Sequence, residues 1–133
     1  MKPKELIAAY YSAFNRRDGE GLLSLLRDDV IHDINQGKRE MGKNAFRDFL
    51  GVMDNHYDEQ VSELAIMVSD DGLRAAAEFI IEGKYLRTQA GLPPARGQKY
   101  RLHVGAFFEL ADGKIKRVTS YYNLPEWISQ VSR

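Results

Sequence analysis

Asp33 closes the short apolar run Val30-Ile31-His32 and stands just before a polar, glycine-containing stretch, Asn35 to Gly42. A carboxylate fixed at the mouth of an apolar fold is desolvated, which raises its pKa and makes it a better base toward a carbon acid. Tyr10, on an amphipathic segment near the N-terminus, carries a hydroxyl that can donate a hydrogen bond. Losing one donor to a developing oxyanion costs ~10²–10³ in rate in a well-studied case. The chemistry so described is proton transfer next to a carbonyl. It covers double-bond isomerisation, aldol-type ring closure, dehydration and some epoxide openings, and it needs no metal and no organic cofactor.

His32 and His103 are further acid–base candidates, since histidine titrates near neutrality. Tyr85, Tyr100, Tyr121, Tyr122 and Asn123 add polar groups near strand ends. Each has a plainer reading. Asp33 also fits a turn carboxylate capping a nearby amide, and Tyr10 fits a core aromatic whose hydroxyl still needs a partner. Strict alternation puts His103 on an outer sheet face, turns His32 away from Asp33, and leaves His56 solvated after a helix. No two histidines lie at helical ligand spacing, so no metal site is expected. The basic runs Lys38-Arg39 and Lys114 to Arg117 read as solvated turns, and the glycines form no phosphate-cradling loop.

The elements that must position these groups follow from hydrophobic period. A helix is expected over 4–17, with Leu6, Tyr10, Ala13 and Phe14 on one face and Pro3 at its start. A short helix follows over about 19–27, then the strand 30–33, then a helix over 43–56 carrying Phe46, Phe49, Leu50 and Met53. From there the period changes to two, with strands expected over 60–69, 73–87, 99–111 and 114–123. Asp-Gly pairs mark the hairpin turns at 69–72 and 111–114. Thr88 to Gln98 is a longer hairpin loop, and Pro125-Glu126-Trp127-Ile128 is one helical turn. Helices first and a meander after them indicate an α+β fold, a cone-shaped barrel in which a strongly curved antiparallel sheet and three N-terminal helices enclose a pocket.

Composition sets the outer limits. The chain has 133 residues with 44% hydrophobic content, enough for one domain with its own core. Nineteen basic and nineteen acidic residues cancel, which removes any bulk field for nucleic acid or an anionic membrane and leaves little charge repulsion against self-association. The absence of cysteine excludes disulfides, thiolate metal sites and a thiol nucleophile. No apolar run approaches the ~20 residues of a membrane span, and the N-terminus lacks a signal-peptide pattern. A cytoplasmic protein is expected.

The helices-then-meander order, Tyr10 and Asn15-Arg16-Arg17-Asp18, Asp28-Asp29 before a short strand, Asp33 at its spacing to Gly42, and Gly113-Lys114-Ile115 leading to Tyr121-Tyr122-Asn123 together resemble the nuclear transport factor 2-like superfamily. Within it the chain is most similar to ketosteroid isomerase-related and SnoaL-like polyketide-cyclase proteins. The resemblance implies Asp33 as general base and Tyr10 as oxyanion donor. The second donor position of the isomerases, a protonated aspartate, corresponds to Ala106, which donates nothing. An acidic residue of cyclase relatives corresponds to Asn123, which cannot act as a base.

A hydrophobic carbonyl-containing ligand is then expected in a pocket lined by Phe14, Phe49, Met53, Phe79, Tyr85, Ala106, Phe108 and Tyr122. The mixed outer faces, with Ile80 and Phe107 among charges, suit a homodimer interface. The competing expectation is a non-catalytic ligand-binding or dimerisation module.

Overall fold

The computed structural model describes residues 1–133. It contains α1 (Pro3–Asn15), α2 (Gly19–Leu23), β1 (Leu26–Asp33), β2 (Arg39–Met41), α3 (Lys43–His56), β3 (Tyr57–Val68), β4 (Arg74–Tyr85), β5 (Gln98–Ala111), β6 (Lys114–Tyr122) and α4 (Leu124–Val131). The six strands form one curved sheet in the order β2-β1-β6-β5-β4-β3. The architecture is α+β as expected, with two refinements. The sheet is not closed, since β2 and β3 remain its edges, and it is not purely antiparallel, since β1 runs parallel to β6.

Local chemistry explains the element ends. Pro3 occupies the first turn of α1, where its missing N–H has no helical acceptor to lose. Asp18 caps α2 by accepting from the Gly21 N–H at 2.9 Å. Gly42 enters α3 at φ 97°, a left-handed backbone open to glycine, and donates to the Val30 carbonyl at 2.7 Å. The α3 bounds coincide with expectation. The second helix is shorter than expected because Ser24 caps it, so Leu26 begins β1 instead. The single turn expected around Trp127 is a full helix of eight residues, capped by the Asn123 side chain on the Glu126 N–H. Asn123 is therefore a helix cap, not a site residue.

The inner face of the sheet carries Ala75, Ala77, Phe79, Tyr85, Tyr100, Leu102, Val104, Ala106 and Phe108, all buried, as strict alternation requires. β4 and β5 pair without a register break from Arg74↔Glu109 to Tyr85↔Gln98. β3 does break, between Ser62 and Ala65, with Glu63 at φ 53°. This bulge moves the inward set from Tyr57, Glu59 and Val61 to Leu64 and Ile66.

α1 lies across the inner face and is fastened at its end. The Asn15 side-chain amide donates to the Val61 carbonyl at 2.9 Å and accepts from the Val61 N–H at 2.7 Å, as a neighbouring strand would. At the far end Trp127 packs edge-on against Tyr85, Tyr100 and Tyr57, with ring centroids 4.9, 5.9 and 6.1 Å away. No helix is long and apolar enough to cross a membrane.

Candidate functional site

The curved sheet, α1 and α3 leave a cavity of about 420 Å³ between them, within the range of small-molecule sites. Its wall is mostly apolar. Phe14, Phe49, Met53, Phe79 and Tyr122 line it as expected, together with Phe46, Leu102, Val104 and Val118. Gln89, Ala90 and Leu92 of the long β4–β5 loop also reach it. That loop is held by Tyr85, whose hydroxyl donates to the Pro93 carbonyl at 2.7 Å and accepts from the Gln89 N–H at 3.0 Å. The Tyr57 hydroxyl donates to the Gln89 side chain.

Three expected lining residues lie elsewhere. Tyr85 is fully buried against Trp127 and the loop, Ala106 is fully buried between strands, and Phe108 packs edge-on against Tyr10. Alternation identified their face correctly, but on that face the wall recedes behind α1 and α4, so packing takes the place of the cavity. Tyr121 sits on the outer face, half exposed, where it meets Phe107. His103 is exposed on the same face.

Asp33 stands in the cavity wall, but its carboxylate is engaged elsewhere. Arg39 Nε donates to Oδ1 at 2.7 Å and its Nη2 to Oδ2 at 3.1 Å, and Thr119 adds a bond to Oδ2 at 3.3 Å. The Arg39 hydrogen bonds hold the Asp33 carboxyl below the usual carboxylate range. The expected raised pKa is thus corrected. The physical reason is β2, the three-residue strand that pairs Asp33 with Arg39 across the turn. A strand that short gives no periodic signal.

His32 takes the inward position instead. It is 6% exposed and lies between Phe46 and Phe49 of α3, ring centroids 4.5 and 4.6 Å away. Its Nδ1 is the one buried side-chain polar atom without a hydrogen bond. Burial pushes the imidazole down to about 4, against the opposing pull of the neighbouring Asp33 carboxylate. At neutral pH it is an uncharged imidazole in the cavity wall. His32 and Asp33 both belong to the cavity lining, which corrects the expectation that alternation keeps them apart; only their contacts differ, His32 meeting Phe46 and Phe49 and Asp33 meeting Arg39 and Thr119. Val30, two residues before His32 and also buried, carries the signal that identifies the inward set.

Tyr10 and Tyr11 both line the cavity and meet edge-on at 5.0 Å. Burial raises both phenols, so they remain neutral donors. Glu59 of β3 also faces the cavity, and the sequence reading passed over it because the strand was expected to begin after it. The Tyr100 hydroxyl donates to its Oε2 at 2.5 Å. Burial raises the Glu59 carboxyl above the ordinary range, with the Tyr100 bond opposing. No three His, Asp or Glu side chains gather as a ligand set for a metal.

The SnoaL-like domain family matches residues 7–118. The structure of a candidate polyketide cyclase from Pseudomonas putida is 52% identical, superposes with a TM-score of 0.97, and covers 98% of each chain. One from Xanthomonas campestris, also described as a candidate polyketide cyclase, is 49% identical over 98% of this chain and 96% of its own, with a TM-score of 0.95. An NTF2-like protein from Burkholderia pseudomallei, 16% identical over 100% of this chain and 99% of its own, shares the fold with a TM-score of 0.84. No curated protein matches this sequence.

Proposed function

Since the chain belongs to the SnoaL-like domain family, we propose that its cavity binds an apolar, carbonyl-containing small molecule and moves a proton on it without a cofactor. The observation that carries this reading is His32, caged by two phenylalanines in an apolar wall; its lowered pKa makes it a weaker base than free imidazole but keeps it unprotonated, and so open to a proton, throughout the neutral range. The proton-accepting role that the resemblance implies for Asp33 falls to His32 in this reading. The imidazole takes a proton from the carbon next to the carbonyl. The C–H pair becomes the C=C bond of an enolate, and the Tyr10 or Tyr11 hydroxyl donates to its oxygen. Return of the proton to another carbon completes an isomerisation; attack of the enolate carbon on a second carbonyl forms a C–C bond and an alkoxide, and that oxygen takes the proton back from the imidazolium to complete a cyclisation.

One observation favours the non-catalytic alternative. The carboxylate of Asp33 is ion-paired with Arg39, so the general base that the resemblance implies is tied up. Binding without turnover is the expected behaviour in that case. The outer sheet face fits a second copy of the chain, because Phe107 and Tyr121 stand exposed there beside paired charges such as Arg117 with Glu109.

The test is proton exchange of 2-tetralone in D₂O, followed by NMR with and without the protein. Exchange well above the buffer rate, reduced by roughly 10² or more in His32→Leu, supports the catalytic reading. Binding with no added exchange supports the non-catalytic one. Absence of binding overturns the cavity assignment itself.

A further inference from the structure

The cavity has a second polar pole that the proton-transfer reading does not use. His32 lies on β1 and Glu59 on β3, with β6, β5 and β4 between them in the sheet. Curvature of the sheet brings both into the same wall. Glu59 forms no ion pair, and Tyr100 is its only hydrogen-bond partner, through Oε2, which leaves Oε1 unengaged. The nearby Arg17 is turned to Asp58 and Asp54 instead.

The bond to Tyr100 is built at a cost. Glu59 pairs with Gly83, and Gly83 pairs with Tyr100, so the phenol reaches the carboxyl by crossing a whole strand. It can cross only because Gly83 has no side chain. A Cβ there would stand 2.6 Å from the Tyr100 ring and hydroxyl. Glycine inside a strand weakens it and marks a close approach. Three residues on three strands therefore orient one carboxyl group into an apolar cavity while leaving one of its oxygens open.

We propose that Glu59 is a specificity-determining residue that binds a hydroxyl or carbonyl oxygen at the end of the ligand remote from His32. The ligand class is then narrower than an apolar ketone. It is an apolar molecule with two oxygen functions, one at each pole of the cavity. This rests on the cavity being the ligand site. Burial raises the Glu59 carboxyl; its open oxygen accepts from a ligand hydroxyl, and the acid form of the group also donates to a carbonyl. A partner oxygen thus satisfies what Tyr100 leaves open, while a ligand without one leaves a desolvated polar group unpaired.

The test compares 2-tetralone with 6-hydroxy-2-tetralone by calorimetric titration. The wild type is expected to bind the hydroxylated compound roughly tenfold tighter. Glu59→Leu is expected to abolish that preference and to bind 2-tetralone at least as tightly as the wild type, because the unpaired carboxyl is gone. Glu59→Gln, which still accepts and donates, is expected to restore most of it. Difference infrared spectra of the unsubstituted protein give a readout independent of folding in the variants. A carboxyl band, of the acid or of the carboxylate, should shift with the hydroxylated ligand and not with 2-tetralone. Equal affinities in the wild type, or a preference that survives Glu59→Leu, overturn the proposal while leaving the cavity reading standing. Failure of both ligands to bind overturns the cavity reading and this one with it.

Discussion

The ring of Tyr100 fills the space that a side chain at Gly83 would occupy, directly across the β4–β5 pair. Gly83→Ala is therefore a packing mutation and a polar one together. The methyl group must displace a ring fixed by Glu59 on one side and Trp127 on the other. Overpacking of this kind costs about 1–3 kcal/mol, and a urea titration should show a lower midpoint with an unchanged slope. A Tyr100→Phe change in the same background should cost less than in wild type, because the hydrogen bond it removes is already broken.

His32 carries opposed demands. Its Nδ1 is buried without a partner, and such an atom costs about 1–3 kcal/mol. His32→Leu should therefore be about 1 kcal/mol more stable than wild type at pH 7 while losing proton exchange on 2-tetralone. A variant less stable than wild type would mean that the imidazole is satisfied in solution.

The same residue sets a pH dependence. Its folded pKa of about 4 lies below the usual histidine value, so between about pH 6.5 and 4 the unfolded chain takes up a proton that the folded one refuses. Stability contributed by this group is complete above pH 6.5 and is lost as pH falls, by about 3 kcal/mol across the window. The Glu59 carboxyl, raised by burial, acts in the opposite sense: its contribution is present at low pH and is lost as pH rises through its folded pKa. Comparing wild type with His32→Leu at pH 7 and pH 4.5 isolates the histidine, since only the wild type should show its share of the loss.

Asp33→Asn should leave ligand affinity unchanged and shift Tm by no more than about 3 °C, because the pair it breaks with Arg39 is at the surface. Loss of 2-tetralone exchange in this variant, with the fold intact, would return the base role to Asp33.

Ala106→Asp should fail to fold or lose about 3 kcal/mol or more, since the position is fully buried and pairs with Ala77 and Ser120 in the middle of the sheet. A soluble, stable variant, measured by circular dichroism and urea titration, would mean that the cavity extends further along β5 than its lining shows.

Phe107→Asp tests the outer face. If that face holds a second copy, sedimentation should give a dimer for the wild type and a monomer for the variant, with no change in 2-tetralone binding.

The fold was legible where period and punctuation agreed. Phe46, Phe49, Leu50 and Met53 between Gly42 and Tyr57 specify α3 to the residue, and the Asp-Gly turns fix two hairpins. The site was less legible, because its defining relations are non-local. Whether Asp33 or His32 faces inward depends on a single-residue choice of face, and β2, which decides it, is three residues long. Glu59 reads as an ordinary surface carboxylate until Gly83 and Tyr100 are seen beside it across two strand pairings. Leu22, Leu23, Leu25 and Leu26 fit one helix by spacing, yet the cap at Ser24 leaves Leu22 and Leu23 in α2 and Leu26 in β1, with Leu25 in the turn between.

The bulge at Glu63 has a consequence for anyone reading substitutions along β3. Before it, odd positions from Tyr57 to Val61 face inward and even ones face out, and after it Leu64 and Ile66 reverse the parity. A scan that places a charge at every residue should therefore show its damaging positions change from odd to even within one strand. A deletion at Glu63 would remove the bulge and keep Leu64 and Ile66 inward by plain alternation, whereas straightening the strand with Glu63 retained would turn both out of the core. One residue in the left-handed region thus acts as the phase marker of the whole edge strand.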